Sequence, residues 1–304
     1  MPILRLGTRA SRLALAQTEL IKRSLEARHS GLCCELVRIS AEADEKPDVP
    51  LVTLGGEGIF VKELAAALLA GKIDVAVHSL KDVPLAMPDG LVLAAIPTRE
   101  NPQDALVSTT GRTLARLPLG AVVGTSSLRR QGQVLHARPD VEVKPIRGNV
   151  ETRLRKLRDG EFDAIVLAAA GLIRLGLEEL ITERIDPHVM LPEPGQGALA
   201  LQTRADDQAT RALVEVLDDA ATRACVTAER AFLRGLGGGC HLPIAALGQL
   251  TGDQLTLDGV VVSPDGSKLI HEQATGSDPN VLGESLAQKA LAQGAKMLLT
   301  GGDR

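Results

Sequence analysis

The chain has no tryptophan, no tyrosine and only three phenylalanines, Phe60, Phe162 and Phe232, so aromatic residues make up 1% of its 304 residues. Binding single-stranded nucleic acid by stacking bases on aromatic rings is therefore excluded. The core must be built from Leu, Val, Ile and Ala. An excess of one charge is also missing. The 34 Lys and Arg and 38 Asp and Glu leave a net charge of -4, too little to draw the whole molecule to nucleic acid or to an anionic membrane. Anions must be bound by arginines placed locally. No apolar run reaches membrane-spanning length, and Met1-Pro2-Ile3-Leu4-Arg5-Leu6 lacks the apolar stretch and cleavage site of a signal peptide. A cytoplasmic protein is expected. The four cysteines, Cys33, Cys34, Cys225 and Cys240, show neither CxxC spacing nor disulfide-framework density, which points to a reducing compartment. Cys33 and Cys34, side by side on a strand, would face opposite ways, so no shared metal is expected. GxSxG, Walker A and HExxH sequences are absent.

What is present alternates between short apolar strands and amphipathic helices. Ile3 to Gly7 reads as a buried strand, Ser11 to Arg28 as a helix, and Cys34 to Ile39 as a second strand. A polar, glycine-containing loop follows from Ala41 to Gly58, of the length that serves as a lid. Phe60 to Ala70 reads as a helix and Ile73 to His78 as a strand. The order then repeats. Ala121-Val122-Val123-Gly124-Thr125-Ser126-Ser127 echoes Leu6-Gly7-Thr8-Arg9-Ala10-Ser11, and Gly160-Glu161-Phe162-Asp163-Ala164 echoes Gly71-Lys72-Ile73-Asp74-Val75. Two similar α/β domains with largely parallel sheets are expected. Pro97 to Pro102 marks a hinge and Leu191 to Gly197 a return, after which Ala198 to Gln202 is a strand placed to rejoin the first domain. Beyond Ala220, a helix through Val226–Leu233, turn signals at Thr251-Gly252-Asp253 and Ser263-Pro264-Asp265-Gly266, and a last helix give a small α+β domain with an antiparallel sheet. The expected domains are 1–98 with 198–217, then 99–197, then 218–304.

Several sites could carry chemistry. Cys240 stands directly after Gly237-Gly238-Gly239, where the backbone is free to approach a ligand and the thiol is accessible; the plain alternative is a glycine-rich hairpin whose cysteine fills space. Two helix entrances, one with Thr8, Arg9 and Ser11 and one with Thr125, Ser126, Ser127, Arg129 and Arg130, offer unpaired N–H groups, hydroxyls and guanidiniums to an anion. Ser and Thr as ordinary N-caps would explain either alone. Arg147-Gly148 follows a strand, and Arg153 lies on the next helix. His78-Ser79-Leu80-Lys81-Asp82-Val83-Pro84 leaves the carboxyl end of a buried strand, where α/β proteins place their chemistry. Asp82 is a candidate for proton transfer or for stabilising a cation, although it would also serve to end a strand. His78 reads as a hydrogen-bonded structural histidine.

Taken together, His78-Ser79-Leu80-Lys81-Asp82-Val83-Pro84, Val123-Gly124-Thr125-Ser126-Ser127-Leu128-Arg129-Arg130, Arg147-Gly148-Asn149-Val150, Gly195-Gln196-Gly197 and Gly238-Gly239-Cys240 occur in an order that resembles the hydroxymethylbilane synthase (porphobilinogen deaminase) family across nearly the whole chain. The resemblance implies two domains like type II periplasmic binding proteins plus the small third one. It implies a dipyrromethane cofactor bound to Cys240 through a thioether. On this primer four porphobilinogen units are added, each losing ammonia, and hydrolysis then releases the linear tetrapyrrole. Asp82 would stabilise pyrrole cations and move protons. Lys81, Thr125, Ser127, Arg129, Arg130, Arg147, Gly148 and Arg153 would face cofactor and substrate carboxylates. Arg9 and Ser11 would bind carboxylates and assist ring coupling, Arg174 would add a further contact, and Phe60 would lie against pyrrole rings. The resemblance further implies a monomer with no metal, no nucleic acid and no membrane partner. The lid departs from the family pattern at Ala41-Glu42-Ala43-Asp44, at Thr53, and at Glu57, where lysine is frequent.

Overall fold

Strand β1 (Ile3–Thr8) runs parallel to β2 (Cys33–Arg38) on one side and to β3 (Val75–Ser79) on the other. The structure, a computed structural model, describes residues 3–39, 59–239 and 242–299. The expected lid, 41–58, therefore lies outside the described residues, together with the departures at 41–44, Thr53 and Glu57. The described chain forms two compact units, residues 1–100 with 198–223, and residues 101–197 with 224–304.

In the first unit the sheet is completed by β4 (Leu91–Ala95) and by β10 (Leu199–Arg204), in the order β2-β1-β3-β10-β4. The expected rejoining of Ala198–Gln202 is thus observed, with β10 antiparallel to both neighbours. The helix Arg12–Arg28 packs by burying Gln17, Thr18, Ile21 and Leu25, which recur every three or four residues along one face. Ile21 and Leu25 meet Leu4, Leu6, Val75 and Leu201 in an aliphatic core.

The second unit repeats this plan. β6 (Val122–Gly124), β7 (Glu142–Lys144), β8 (Ala164–Ala168), β5 (Asp104–Ser108) and β9 (Glu183–Arg184) lie in the order β7-β6-β8-β5-β9, again with three parallel strands and then one reversed. The reversed strand is in each case the first one the chain forms after crossing over, β5 on entry and β10 on return. The sequence did not reveal β4, β5 or β9, which are short runs without alternation. The repeat extends to single contacts. The Asp74 carboxylate accepts from Arg5 N–H and the Asp163 carboxylate from Val122 N–H (2.9 and 2.7 Å). In return, Asp74 N–H donates to Arg5 C=O and Asp163 N–H to Val122 C=O. Gly7 and Gly124 leave room for the same neighbour, since a Cβ would lie 2.2 Å from Ile73 Cδ1 and 2.9 Å from Phe162 Cδ1.

The C-terminal part of the second unit is a three-stranded antiparallel meander of β11 (Ile244–Thr251), β12 (Gln254–Val262) and β13 (Leu269–Gly276), with Gly252-Asp253 as its first turn. One face buries Leu255, Leu257 and Val261 against Phe232 and Leu286 of the helices Ala220–Gly235 and Pro279–Ala292. The other face, with Ala245, Leu247, Val260 and Val262, packs on Leu191. The helix Leu128–Ala137 docks on the turn after β12. Gln131 Nε2 donates to Pro264 C=O (3.1 Å), and His136 Nδ1 lies 2.9 Å from Gly266 C=O.

Gly132 allows this approach, since a Cβ there would stand 2.6 Å from the Ser263 carbonyl oxygen, a backbone atom that cannot rotate away. Gly132→Ala should lower the unfolding free energy by about 1–3 kcal/mol, read as a lower urea midpoint at unchanged slope. An unchanged midpoint would show that the helix does not bear on the turn.

Candidate active site

In the first unit, two loops leave the carboxyl ends of adjacent parallel strands. β1 ends at the fully buried Thr8, and Ser11 caps the following helix by accepting from Ala14 N–H (3.2 Å). Arg9 is half-buried between them. β3 ends in a one-turn 3-10 helix, Leu80–Asp82, that carries Lys81 and Asp82. Leu80 N–H donates to Ala198 C=O and Val83 N–H to Leu80 C=O (both 3.0 Å), so the backbone around Asp82 is fixed from both sides. Gln17 Nε2 donates to Ser79 Oγ (3.0 Å), which ties the capped helix to the same strand end. The Asp82 side chain is exposed and Lys81 is half-buried. His78 is buried, with its Nε2 at 3.0 Å from Gln202 Oε1. Burial pushes its pKa down to about 4, so the ring is neutral at pH 7 and is the structural histidine expected.

In the second unit the equivalent entrance is tighter. Thr125 is buried; its N–H donates to Lys144 C=O (2.9 Å) and its hydroxyl accepts from Ser127 N–H (3.2 Å). Ser127 caps the helix Leu128–Ala137 by accepting from Arg130 N–H (3.4 Å). Ser126, whose hydroxyl the sequence offered to an anion, instead donates to Ile146 C=O (2.8 Å) and fastens this loop to the segment leading into Arg147. Gly148 has φ +109°, and a Cβ on it would lie 2.6 Å from Thr152 Cγ2, so the turn admits only glycine. Asn149 then caps the helix Val150–Arg158 through Thr152 N–H (2.9 Å). Arg153 Nε donates to Gly148 C=O (2.8 Å). Burial and the positive charges of Arg130 and Arg147 push Arg153 down to about 10. It is still protonated at pH 7, but it is crowded by like charge, which a bound anion would relieve. Arg174 Nη2 donates to Gly197 C=O (2.7 Å), on the return loop.

Arg129 and Arg130 are buried rather than spread along a surface. Both grip Asp104, the first residue of β5, which is fully buried. Arg129 Nη1 is 2.5 Å from Asp104 Oδ2, and Arg130 Nη2 is 2.7 Å from Oδ1. The two guanidiniums hold the carboxyl group far below the usual carboxylate range. Asp104 was not legible as a site residue from the sequence. Its only signal was a carboxylate at the head of a short apolar run after the hinge.

Cys240, and with it the end of the glycine loop, lies outside the described residues. Gly237, Gly238 and Gly239 all have positive φ, and Gly238 N–H donates to Leu233 C=O (2.9 Å), so the loop unwinds directly from the helix Ala220–Gly235. Phe60 lies in the helix Ile59–Leu69, and its side chain is outside the described atoms. The other cysteines form no disulfide; Cys33 is exposed, and Cys34 and Cys225 are buried. Cys33 and Cys34 therefore face opposite ways, as expected.

Paired α/β sheets of one strand order, each opening into a serine-capped helix, with several guanidiniums beside one of those openings, define a duplicated α/β protein with a small antiparallel C-terminal part. Residues 4–212 match the family model for the porphobilinogen deaminase dipyromethane cofactor binding domain, and residues 223–292 match that for the porphobilinogen deaminase C-terminal domain. The chain belongs to the porphobilinogen deaminase family. It is 50% identical to a porphobilinogen deaminase of Roseiflexus castenholzii over 98% of this chain and 99% of that one. It is 52% identical to one of Syntrophotalea carbinolica over 97% and 95%. A solved nutrient-binding protein of Burkholderia cenocepacia, bound to methionine, superposes with TM-score 0.44 at 15% identity, over 72% of this chain and 93% of that one, a likeness too distant to build on.

The His78 environment sets a pH test. In the unfolded chain a histidine takes up a proton near pH 6.5, whereas buried His78 does so only near 4. Stability is therefore lost as pH falls between those values, by at most about 3 kcal/mol. Chemical denaturation at pH 7 and pH 5 should show part of that loss in the parent and a smaller one in His78→Asn. Equal losses in both would mean that His78 is not held neutral.

Proposed function

We propose that the chain condenses four porphobilinogen molecules head to tail on a dipyrromethane held by Cys240, with loss of ammonia at each step, and then releases the linear tetrapyrrole by hydrolysis. It is a transferase of tetrapyrrole biosynthesis. The single observation that carries this reading beyond family membership is the guanidinium group at the second helix entrance, where Ser126 fastens the loop before Arg129 and Arg130 to the segment leading into Arg147, Arg153 bonds back to Gly148 C=O, and burial together with the charges of Arg130 and Arg147 lowers the pKa of Arg153. Each pyrrole of substrate and cofactor brings an acetate and a propionate. A protein of net charge -4 must then supply positive charge at the point of binding, and this cluster does so. A dipyrromethane fits these residues. The cationic cluster accepts its carboxylates, and the glycine turn at Gly148 keeps the backbone clear of side-chain bulk. When bound, the dipyrromethane supplies the pyrrole carbon from which the chain grows.

The residues divide the work. Arg147 and Arg153 bind carboxylates by charge-assisted hydrogen bonds, with Arg129, Arg130 and Arg174 shaping the wall behind them and adding to its charge. Thr125, Ser127 and Gly148 form the turns that present this wall. Asp82, on its fixed 3-10 turn, stabilises positive charge on the reacting pyrrole and takes up the proton released after coupling. Lys81 beside it binds a carboxylate, as do Arg9 and Ser11; the Ser11 hydroxyl, although it accepts from Ala14 N–H, retains its own proton to donate. Phe60 lies against a pyrrole face. Residues 1–98 with 198–217 thus carry the acid, 99–197 the arginines, and 218–304 the thiol. We assign the protein to the cytoplasm as a monomer acting on a small molecule, without nucleic acid or membrane. Among the described residues no helix is long and apolar enough to cross a membrane.

Intact-protein mass tests the reading. Protein made in cells that synthesise porphobilinogen should carry two pyrrole units, and Cys240→Ser should carry none. A bare mass for the parent would overturn it. Asp82→Ala should fold with an unchanged circular dichroism spectrum and lose about 10²-fold or more in turnover. Near-parental turnover would remove Asp82 from its role.

A further inference from the structure

Two guanidiniums in successive positions of one helical turn, both buried, repel each other and the positive end of the helix dipole. The reason they stay in place is visible at Asp104. Its carboxylate takes Arg129 Nη1 at 2.5 Å on one oxygen, and Arg130 Nε at 2.9 Å and Nη2 at 2.7 Å on the other. Gln196, from the Gly195-Gln196-Gly197 return, is also fully buried and fixes the remaining geometry. Its Nε2 donates to Asp104 Oδ1 (2.9 Å) and to Pro102 C=O (2.8 Å), while its Oε1 accepts from Arg130 Nη2 (3.4 Å). Arg129 Nη1 further donates to Leu191 C=O (2.8 Å), and Arg130 Nη1 to Val166 C=O (3.2 Å). One carboxylate against two guanidiniums leaves one positive charge. The entrance of the same helix is fastened to the segment leading into Arg147 by Ser126, whose hydroxyl donates to Ile146 C=O (2.8 Å), and Arg130 and Arg147 both bear on Arg153.

We propose that Asp104, with Gln196, is a positioning residue for substrate binding: it holds Arg130 in place at the helix entrance that adjoins Arg147 and Arg153 and trims the charge of the Arg129 and Arg130 pair to a single unit. This rests on the reading of the cluster as the carboxylate site. A substrate bearing two carboxylates per ring meets a charge of set size in a set place. The carboxylate that arranges it touches neither substrate nor cofactor.

The test uses the full-length enzyme, with rates normalised to the fraction that carries the pyrrole mass, so that misfolded protein does not count. In Asp104→Asn the shape is kept and the charge removed. KM for porphobilinogen should rise about tenfold while kcat falls by a smaller factor, and Asp104→Glu, which keeps the charge, should recover most of the loss. A folded Asp104→Asn that acquires no pyrrole mass supports the same role. If Asp104→Asn does not fold, Gln196→Met decides. It removes the amide's hydrogen bonds to Asp104, Pro102 and Arg130 and no charge, and its KM should rise about threefold. A KM within about 1.5-fold of the parent in the deciding variant overturns the inference and leaves a purely structural ion pair. A parent that does not turn porphobilinogen over removes the reading of the site and this inference with it, whereas an active parent with unchanged variant KM removes this inference alone.

Discussion

The buried carboxylate of Asp104 between the guanidiniums of Arg129 and Arg130 is the interaction on which the second unit's helix entrance depends. Two charges of one sign cannot be taken out of water side by side unless an opposite charge goes with them, and removal of one member of such a group typically costs about 3–5 kcal/mol. The consequence is architectural. β5 must run where it places Asp104 under the first turn of the helix Leu128–Ala137, and the return loop must pass where Gln196 reaches the same oxygen. The strand that enters the second sheet and the loop that leaves it are thereby pinned to one carboxylate.

The two units solve a similar problem in different ways. Both end a first parallel strand at a buried threonine, and both start the next helix with a serine cap. In the first unit the entrance is otherwise lightly furnished, with Arg9 half-buried and the acid Asp82 on a neighbouring turn. In the second it is crowded with guanidiniums.

The C-terminal meander joins the second unit through close backbone approach more than through charge. Gly132 against Ser263, and Leu191 against the sheet face of Val260 and Val262, leave no room for an intervening layer. Glu229, buried on the helix that runs into the glycine loop, accepts from Gly195 N–H at 2.7 Å and Gly248 N–H at 2.9 Å. The helix that precedes Cys240 is thus fastened to the return loop that also holds Arg130 through Gln196.

The sequence by itself determined what local pattern can determine. Periodicity placed the longer helices and most strands, glycine and proline placed the turns, the repeat of Gly-Thr and Gly-x-x-Asp pointed to two like domains, and the ordered motifs pointed to the family. His78 was legible as a structural residue because a lone histidine on a buried strand needs only one partner. Asp104 and Gln196 were not legible. Their partners lie 25 and 92 residues away along the chain, and nothing in a local window says which of 38 acidic residues will be drawn under two arginines. Only the tertiary structure decided that Arg129 and Arg130 would be buried on a carboxylate, because pairing of charges inside a fold depends on which strands become neighbours. Strands as short as β5 and β9 take their positions from the sheet around them, not from their own sequence.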